Sequence, residues 1–190
     1  MLRILALSLF IILPTLVQAE STGLPNPEVV IKTNYGEISL RLFRDKAPIT
    51  VENFLNYVDS GHYNGTIFHR IIPQFMVQGG GFLPDMTKKE TGEAIVNESK
   101  NKLHNTRGTI AMARTNHPDS ATNQFFINQS TNLGLDWVPG KPGYTVFGEV
   151  TSGLDVVDFI VSSPARNMGG FENVPIEAII ISEIKRKSLL

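Results

Sequence analysis

No cysteine occurs among the 190 residues, which removes a disulfide framework, a thiolate nucleophile and any Cys-based metal site. A surplus of one charge is also lacking: 17 Lys and Arg face 18 Asp and Glu, a formal net charge of −1. General nucleic-acid binding is thereby excluded as an expectation, because neutralising phosphates takes a clustered excess of cations. The one basic cluster, Lys185, Arg186 and Lys187, follows an apolar run and reads as a solvated end that keeps a sheet edge soluble. Several catalytic signatures are missing too, among them a Gly-x-Ser-x-Gly elbow, a phosphate-cradling glycine loop and His-Glu-x-x-His. The four histidines, His62, His69, His104 and His117, have no metal-ligand spacing, so no metal is expected.

What the chain does have is enough apolar material for a core. Hydrophobic residues make up 42% of it, and a chain of this size buries roughly 70% of its unfolded surface without staples. A long apolar run appears only at the start. Met1-Leu2-Arg3 leads into residues 4–13, Pro14 interrupts, and Val17-Gln18-Ala19 offers small residues at alternate positions. A membrane span needs about 20 apolar residues. The pattern therefore predicts a cleaved signal peptide over 1–19, no stable membrane insertion afterwards, and a periplasmic or secreted protein. Residues 20–27, with Gly23, Pro25 and Pro27, read as a flexible leader before a domain over 28–190.

Within that domain, β-rich runs at 28–33 and 37–43 flank Asn34-Tyr35-Gly36, which has the residues of a tight hairpin turn. Ile38, Leu40 and Leu42 alternate with Ser39 and Arg41, marking a strand with one buried face. Over 48–60 the period changes, with Val51, Phe54, Leu55 and Val58 three and four residues apart; Pro48 suits a first helical turn and Gly61 a helix end. Short strands are expected at 67–72, 75–78, 109–113, 124–127 and 145–150. A second helix follows at 154–160, and a last, mostly buried strand at 176–184. This order predicts a mainly β fold, a closed antiparallel barrel plugged by two helices, in which pairing the first strand with the last removes both edges.

One stretch, Phe68-His69-Arg70-Ile71-Ile72-Pro73-Gln74-Phe75-Met76-Val77-Gln78-Gly79-Gly80, concentrates a permanent cation, an aromatic ring, a soft apolar filler and an amide. It resembles the signature of the cyclophilins. The likeness continues through Ala47-Pro48-Ile49-Thr50-Val51-Glu52-Asn53-Phe54, Thr109-Ile110-Ala111-Met112-Ala113-Arg114, Asn123-Gln124-Phe125-Phe126-Ile127 and Tyr144-Thr145-Val146-Phe147-Gly148, in matching order across about residues 29–184. The resemblance, closest to the bacterial exported type, implies an eight-stranded barrel with two helices. It also implies cis/trans isomerisation of Xaa-Pro bonds without a cofactor, acting as a monomer on proline-containing peptides and on unfolded or nascent exported proteins.

By this resemblance Arg70 is the catalytic candidate, with Gln78 either orienting it or holding a substrate carbonyl. Phe75, Met76 and Phe126, with Leu135 at the rim, form the socket for the proline ring. Ala113 and Arg114 offer backbone groups to an extended peptide, Gln124 offers a side-chain amide, and Tyr144 a hydroxyl where other members carry histidine. Phe68, Phe125 and Phe147 are assigned to the core, and Gly79 and Gly80 to backbone geometry. The sequence departs from the family at Gly134, which stands where many members have tryptophan or phenylalanine ahead of Leu135-Asp136, while the only tryptophan, Trp137, comes after. That aromatic residue is associated with cyclosporin binding, so weak inhibition is expected. Two other classes fit parts of the pattern: a module that binds proline segments without turnover, and a small-ligand transport barrel, which would need an open interior. Asn64-Gly65-Thr66, Asn97-Glu98-Ser99 and Asn128-Gln129-Ser130 also match glycosylation sequons.

Overall fold

Strict alternation puts Val29 and Ile31, and Ile38, Leu40 and Leu42, on one face of their strands, and all five are fully buried. In the computed structural model, which describes residues 25–187, they belong to the hairpin of β1 (Glu28–Thr33) and β2 (Gly36–Leu42). The expected signal peptide over 1–19 and residues 20–24 of the leader lie outside the described residues. The end of the leader is tied down, not free: Pro27 accepts the Leu42 amide at 2.8 Å and the Asn26 side chain accepts that of Arg44 at 3.1 Å.

The remaining elements are α1 (Pro48–Asp59), β3 (Thr66–Ile72), β4 (Met76–Gly79), β5 (Thr109–Met112), β6 (Phe125–Asn128), β7 (Val146–Ser152), α2 (Leu154–Val161), β8 (Ala165–Met168), β9 (Phe171–Pro175) and β10 (Ile180–Arg186). Eight strands close an antiparallel barrel in the order β1-β10-β3-β4-β6-β5-β7-β2, so first and last strands are neighbours as their sequences suggest. The apolar faces of α1 (Val51, Phe54, Leu55, Val58) and α2 (Val157, Ile160, Val161) join one interior cluster with the strands. Phe54 packs on Tyr63, Phe125 and Phe147 with ring centroids 5.2–5.6 Å apart. An interior filled in this way rules out the transport barrel.

Three expectations are corrected. The last strand starts at Ile180, not at residue 176, and only Ile181 and Ile184 of it are buried; Ile176 is 55% exposed and follows Pro175, which ends β9. Lys185 and Arg186 lie within β10, paired with Val30 and Val29, and so guard no free edge. Arg186 forks onto Asp59 of α1, and Lys187 reaches Glu28 at 3.1 Å. Finally, β8 and β9 form a separate hairpin that the sequence did not announce, because β8 exposes Ala165, Arg166 and Asn167 and has no buried face to produce a period. Of the sequon asparagines, Asn64 is exposed, whereas Asn128 is fully buried and donates to Thr109 Oγ1 and Asn105 Oδ1.

Helix α1 begins after Ala47, whose side chain cannot cap. Glu98, far along the chain, does the capping instead. Its Oε2 accepts the Thr50 amide at 2.8 Å and hydroxyl at 2.7 Å, and its Oε1 accepts the Ile49 amide at 3.2 Å, a carboxylate where the helix dipole favours one. Glu98→Ala is expected to cost about 1–2 kcal/mol of stability, with Glu98→Gln losing less, as read from urea unfolding midpoints.

Candidate active site

Phe68 and Ile71 both lie in the barrel interior, which unbroken alternation forbids for residues three apart. The break is a bulge: pairing between β3 and β4 changes register between Phe68 and Arg70. One extra residue lets His69 and Arg70 both face outward while Phe68 and Ile71 face in. β4, β6 and β5 keep parity, and β5 meets β7 through a further register shift between Ile110 and Ala111. Val77, Phe125, Ile127, Ile110, Met112 and Phe147 point inward, and Met76, Phe126, Ala111 and Val146 form a second buried cluster on the outer face, flanked by Phe75, Leu135 and Tyr144.

That outer cluster floors a cleft of about 390 Å³. All ten residues singled out in the sequence, Arg70, Phe75, Met76, Gln78, Ala113, Arg114, Gln124, Phe126, Leu135 and Tyr144, line it. Four more line it that were not singled out: His69, Phe82, Phe171 and Glu172. His69 had a signal, since it sits beside Arg70 in the motif. Phe171 and Glu172 had none, because they belong to the unannounced hairpin.

The Arg70 side chain forms no ion pair or hydrogen bond among the described residues, so its guanidinium is available to whatever enters. Arg114, the other cation in the cleft, is engaged. It donates to the carbonyls of Pro142 at 2.7 Å, Thr115 at 2.8 Å and Gly143 at 3.1 Å, and stacks 4.4 Å from the centre of the Tyr144 ring. Tyr144 in turn meets Phe126 edge-on at 5.6 Å. Gln78 is the ladder partner of Arg70, but its side chain does not bond the guanidinium; its Nε2 donates to Gln124 Oε1 at 2.9 Å. The Gln124 side chain lies across Gly81, where a Cβ would come within 2.5 Å of it. The Ala113 amide is also in use, donating to the Gln124 carbonyl at 3.0 Å. Gly80, with φ of +86°, turns the chain out of β4 where a side chain would strike Tyr63 and Phe125.

Leu135 reaches the rim on a 3-10 turn (Leu133–Leu135) held by Asp136. Asp136 accepts the Asn105 amide at 2.7 Å and side chain at 2.9 Å, and His104 Nδ1 lies 2.7 Å away. Burial alone would raise the Asp136 pKa, but these hydrogen bonds outweigh it and hold the carboxyl below its ordinary range. Trp137 turns away from the cleft, into a separate depression under Lys100, whose Nζ is 5.6 Å from the indole centre. It does not rebuild the wall that Gly134 lacks, and a Cβ at Gly134 would meet nothing within 4 Å. Among the described residues, no three His, Asp or Glu side chains are grouped to hold a metal ion.

His69 is 5% exposed and packs on Phe82 at 4.7 Å, and its Nδ1 has no hydrogen-bond partner. Burial, with the charge of Arg70 added, lowers its pKa to about 4. The unfolded chain takes up this proton near pH 6.5 and the folded one does not. Stability from this group is therefore complete above about pH 6.5 and is lost as pH falls toward 4. The loss between pH 7 and pH 4 should be smaller by about 3 kcal/mol in His69→Gln than in the wild type, measured by urea unfolding at both pH values.

Comparison with known proteins agrees with this geometry. The family model described as "Cyclophilin type peptidyl-prolyl cis-trans isomerase/CLD" matches residues 28–186. A peptidyl-prolyl cis-trans isomerase of Acinetobacter baylyi is 51% identical over 167 residues, covering 88% of this chain and 89% of that protein. Peptidyl-prolyl cis-trans isomerase A of Dickeya dadantii is 47% identical over 183 residues, 96% of each. The crystal structure of a Cryptosporidium parvum cyclophilin-type isomerase superposes with a TM-score of 0.76 at 31% identity, covering 87% of this chain and 99% of that one. With a family match from the first strand to the last, and relatives this close over most of their length, the chain belongs to the cyclophilin-type peptidyl-prolyl cis/trans isomerases.

Proposed function

We propose that the enzyme turns Xaa-Pro bonds by presenting the Arg70 guanidinium to the prolyl nitrogen while an apolar socket holds the ring. Rotation about a peptide bond is opposed by about 18–20 kcal/mol, because the nitrogen lone pair is delocalised into the carbonyl. Both isomers of an Xaa-Pro bond are populated, yet they exchange over roughly tens to hundreds of seconds. In the twisted transition state the nitrogen regains its lone pair and accepts a hydrogen bond that the planar ground state scarcely can. A fixed cation beside it then binds the transition state more tightly than the substrate. Arginine suits the task because it stays protonated and holds its donors in a rigid plane.

The observation that carries this reading is a cation without a partner at the edge of an apolar floor. Phe75, Met76, Phe126 and Leu135 surround the space beside Arg70, where they grip a proline ring and exclude water that competes for the guanidinium. The Gln78–Gln124 pair presents the remaining amide groups to the peptide backbone. The open wall beside Gly134 supports the weak cyclosporin inhibition expected from the sequence.

Clients are proposed to be exported proteins, on the strength of the apolar segment and the small residues at 17–19. Mass spectrometry of the protein from its host should find an N-terminus at Glu20; retention of Met1 would contradict export by cleavage. In a protease-coupled peptide assay, Arg70→Ala should lower kcat/KM by about 10²-fold, and Arg70→Lys should restore little of it. Equal activity in wild type and Arg70→Ala sinks the mechanism, and an inactive wild type favours a binding module.

A further inference from the structure

Round the barrel β3 is followed by β4, β6 and β5, and the separate β8–β9 hairpin packs against β3 through β9. Arg70, on β3, therefore stands between two compartments of one cleft. The first is the socket on β4 and β6. The second is walled by His69, Phe82 and Phe171, with Glu172 at its mouth.

This second compartment has a definite chemistry. His69 meets Phe82 at 4.7 Å and Phe82 meets Phe171 edge-on at 5.2 Å, so three rings line it. His69 is buried beside Arg70, stays neutral above about pH 4 and adds no charge. Its unpartnered Nδ1 is a polar atom on the wall. Glu172 is exposed and forms no ion pair among the described residues, although Arg70 lines the same cleft. The hairpin's own cation, Arg166, lies over a separate depression with Ile67 and Met168. A carboxylate at the mouth of an aromatic compartment suits a long side chain with an apolar stem and a cationic head.

We propose that the compartment between Arg70 and the β8–β9 hairpin is a subsite for a lysine or arginine flanking the substrate proline, with Glu172 as its charge partner. The inference rests on the isomerase reading above, since the proline socket fixes where the flanking residue falls. The stem lies along Phe82 and Phe171, and the head meets Glu172 at the solvent edge. An acidic residue at the same place meets like charge and is disfavoured.

The test uses peptides carrying Lys, Ala or Glu at each of the two positions on either side of proline, assayed at low and high salt. At one position kcat/KM should fall in the order Lys, Ala, Glu, with Lys about threefold above Ala at low salt. The difference should reside in KM. Glu172→Lys should reverse the order, Glu172→Gln should flatten it, and Phe171→Ala should weaken the Lys preference while keeping its sign. No Lys preference at any position, or one that survives Glu172→Lys, overturns the subsite. If no peptide is turned over, the isomerase reading fails instead. Calorimetric binding of the Lys and Glu peptides then decides the subsite alone: tighter Lys binding that reverses in Glu172→Lys supports it, and equal binding overturns it.

Discussion

A β-strand has two faces, and a barrel must fill one of them before the other can do anything. In this enzyme the same three strands, β4, β5 and β6, serve both needs. Val77, Phe125, Ile127, Ile110 and Met112 close the interior, while Met76, Phe126 and Ala111, one residue away in each case, build the outer floor. A shift of one residue in any of these strands would exchange core for site. Between β3 and β4 the pairing is broken by the bulge at His69, and this is what puts Arg70 outside without removing Phe68 or Ile71 from the core. Preorganisation of the cation is thus a property of strand pairing, which is rigid, and not of a loop.

Charge is distributed to the same end. Arg41, Arg107 and Arg186 are held by Glu149, Asp158 and Asp59, and Arg114 by backbone carbonyls and the Tyr144 ring. Those exposed pairs contribute little to stability individually, but they leave Arg70 as the cation of the cleft with no partner among the described residues. Its neighbour His69 stays neutral because burial and Arg70 itself oppose protonation. In the mechanism proposed above, this unpaired guanidinium meets a developing lone pair on the substrate nitrogen only when the amide is twisted.

Much of this was legible in the sequence wherever burial imposes a period. The alternation of Ile38, Leu40 and Leu42 and the spacing of Val51, Phe54, Leu55 and Val58 located a strand and a helix to within a residue or two. The motif around Arg70 named residues that do share one cleft. What escaped was whatever burial does not pattern. β8 and β9 are mostly exposed, so Phe171 and Glu172 gave no warning. The start of β10 was misjudged because Ile176 is apolar yet exposed. The Gln78–Gln124 pair escaped because a side-chain hydrogen bond between residues 46 apart leaves no local trace. The same holds for the capping of α1 by Glu98 and for the outward turn of Trp137.

The central claim is that Arg70 stabilises the twisted amide and not the bound peptide. Magnetisation-exchange NMR on a proline peptide saturating the enzyme separates the two, since it reads interconversion of bound cis and trans forms apart from affinity. The account predicts that Arg70→Ala slows exchange on the enzyme by about 10²-fold while the dissociation constant changes only a few-fold. Unchanged exchange, or a loss carried wholly by weaker binding, would contradict it.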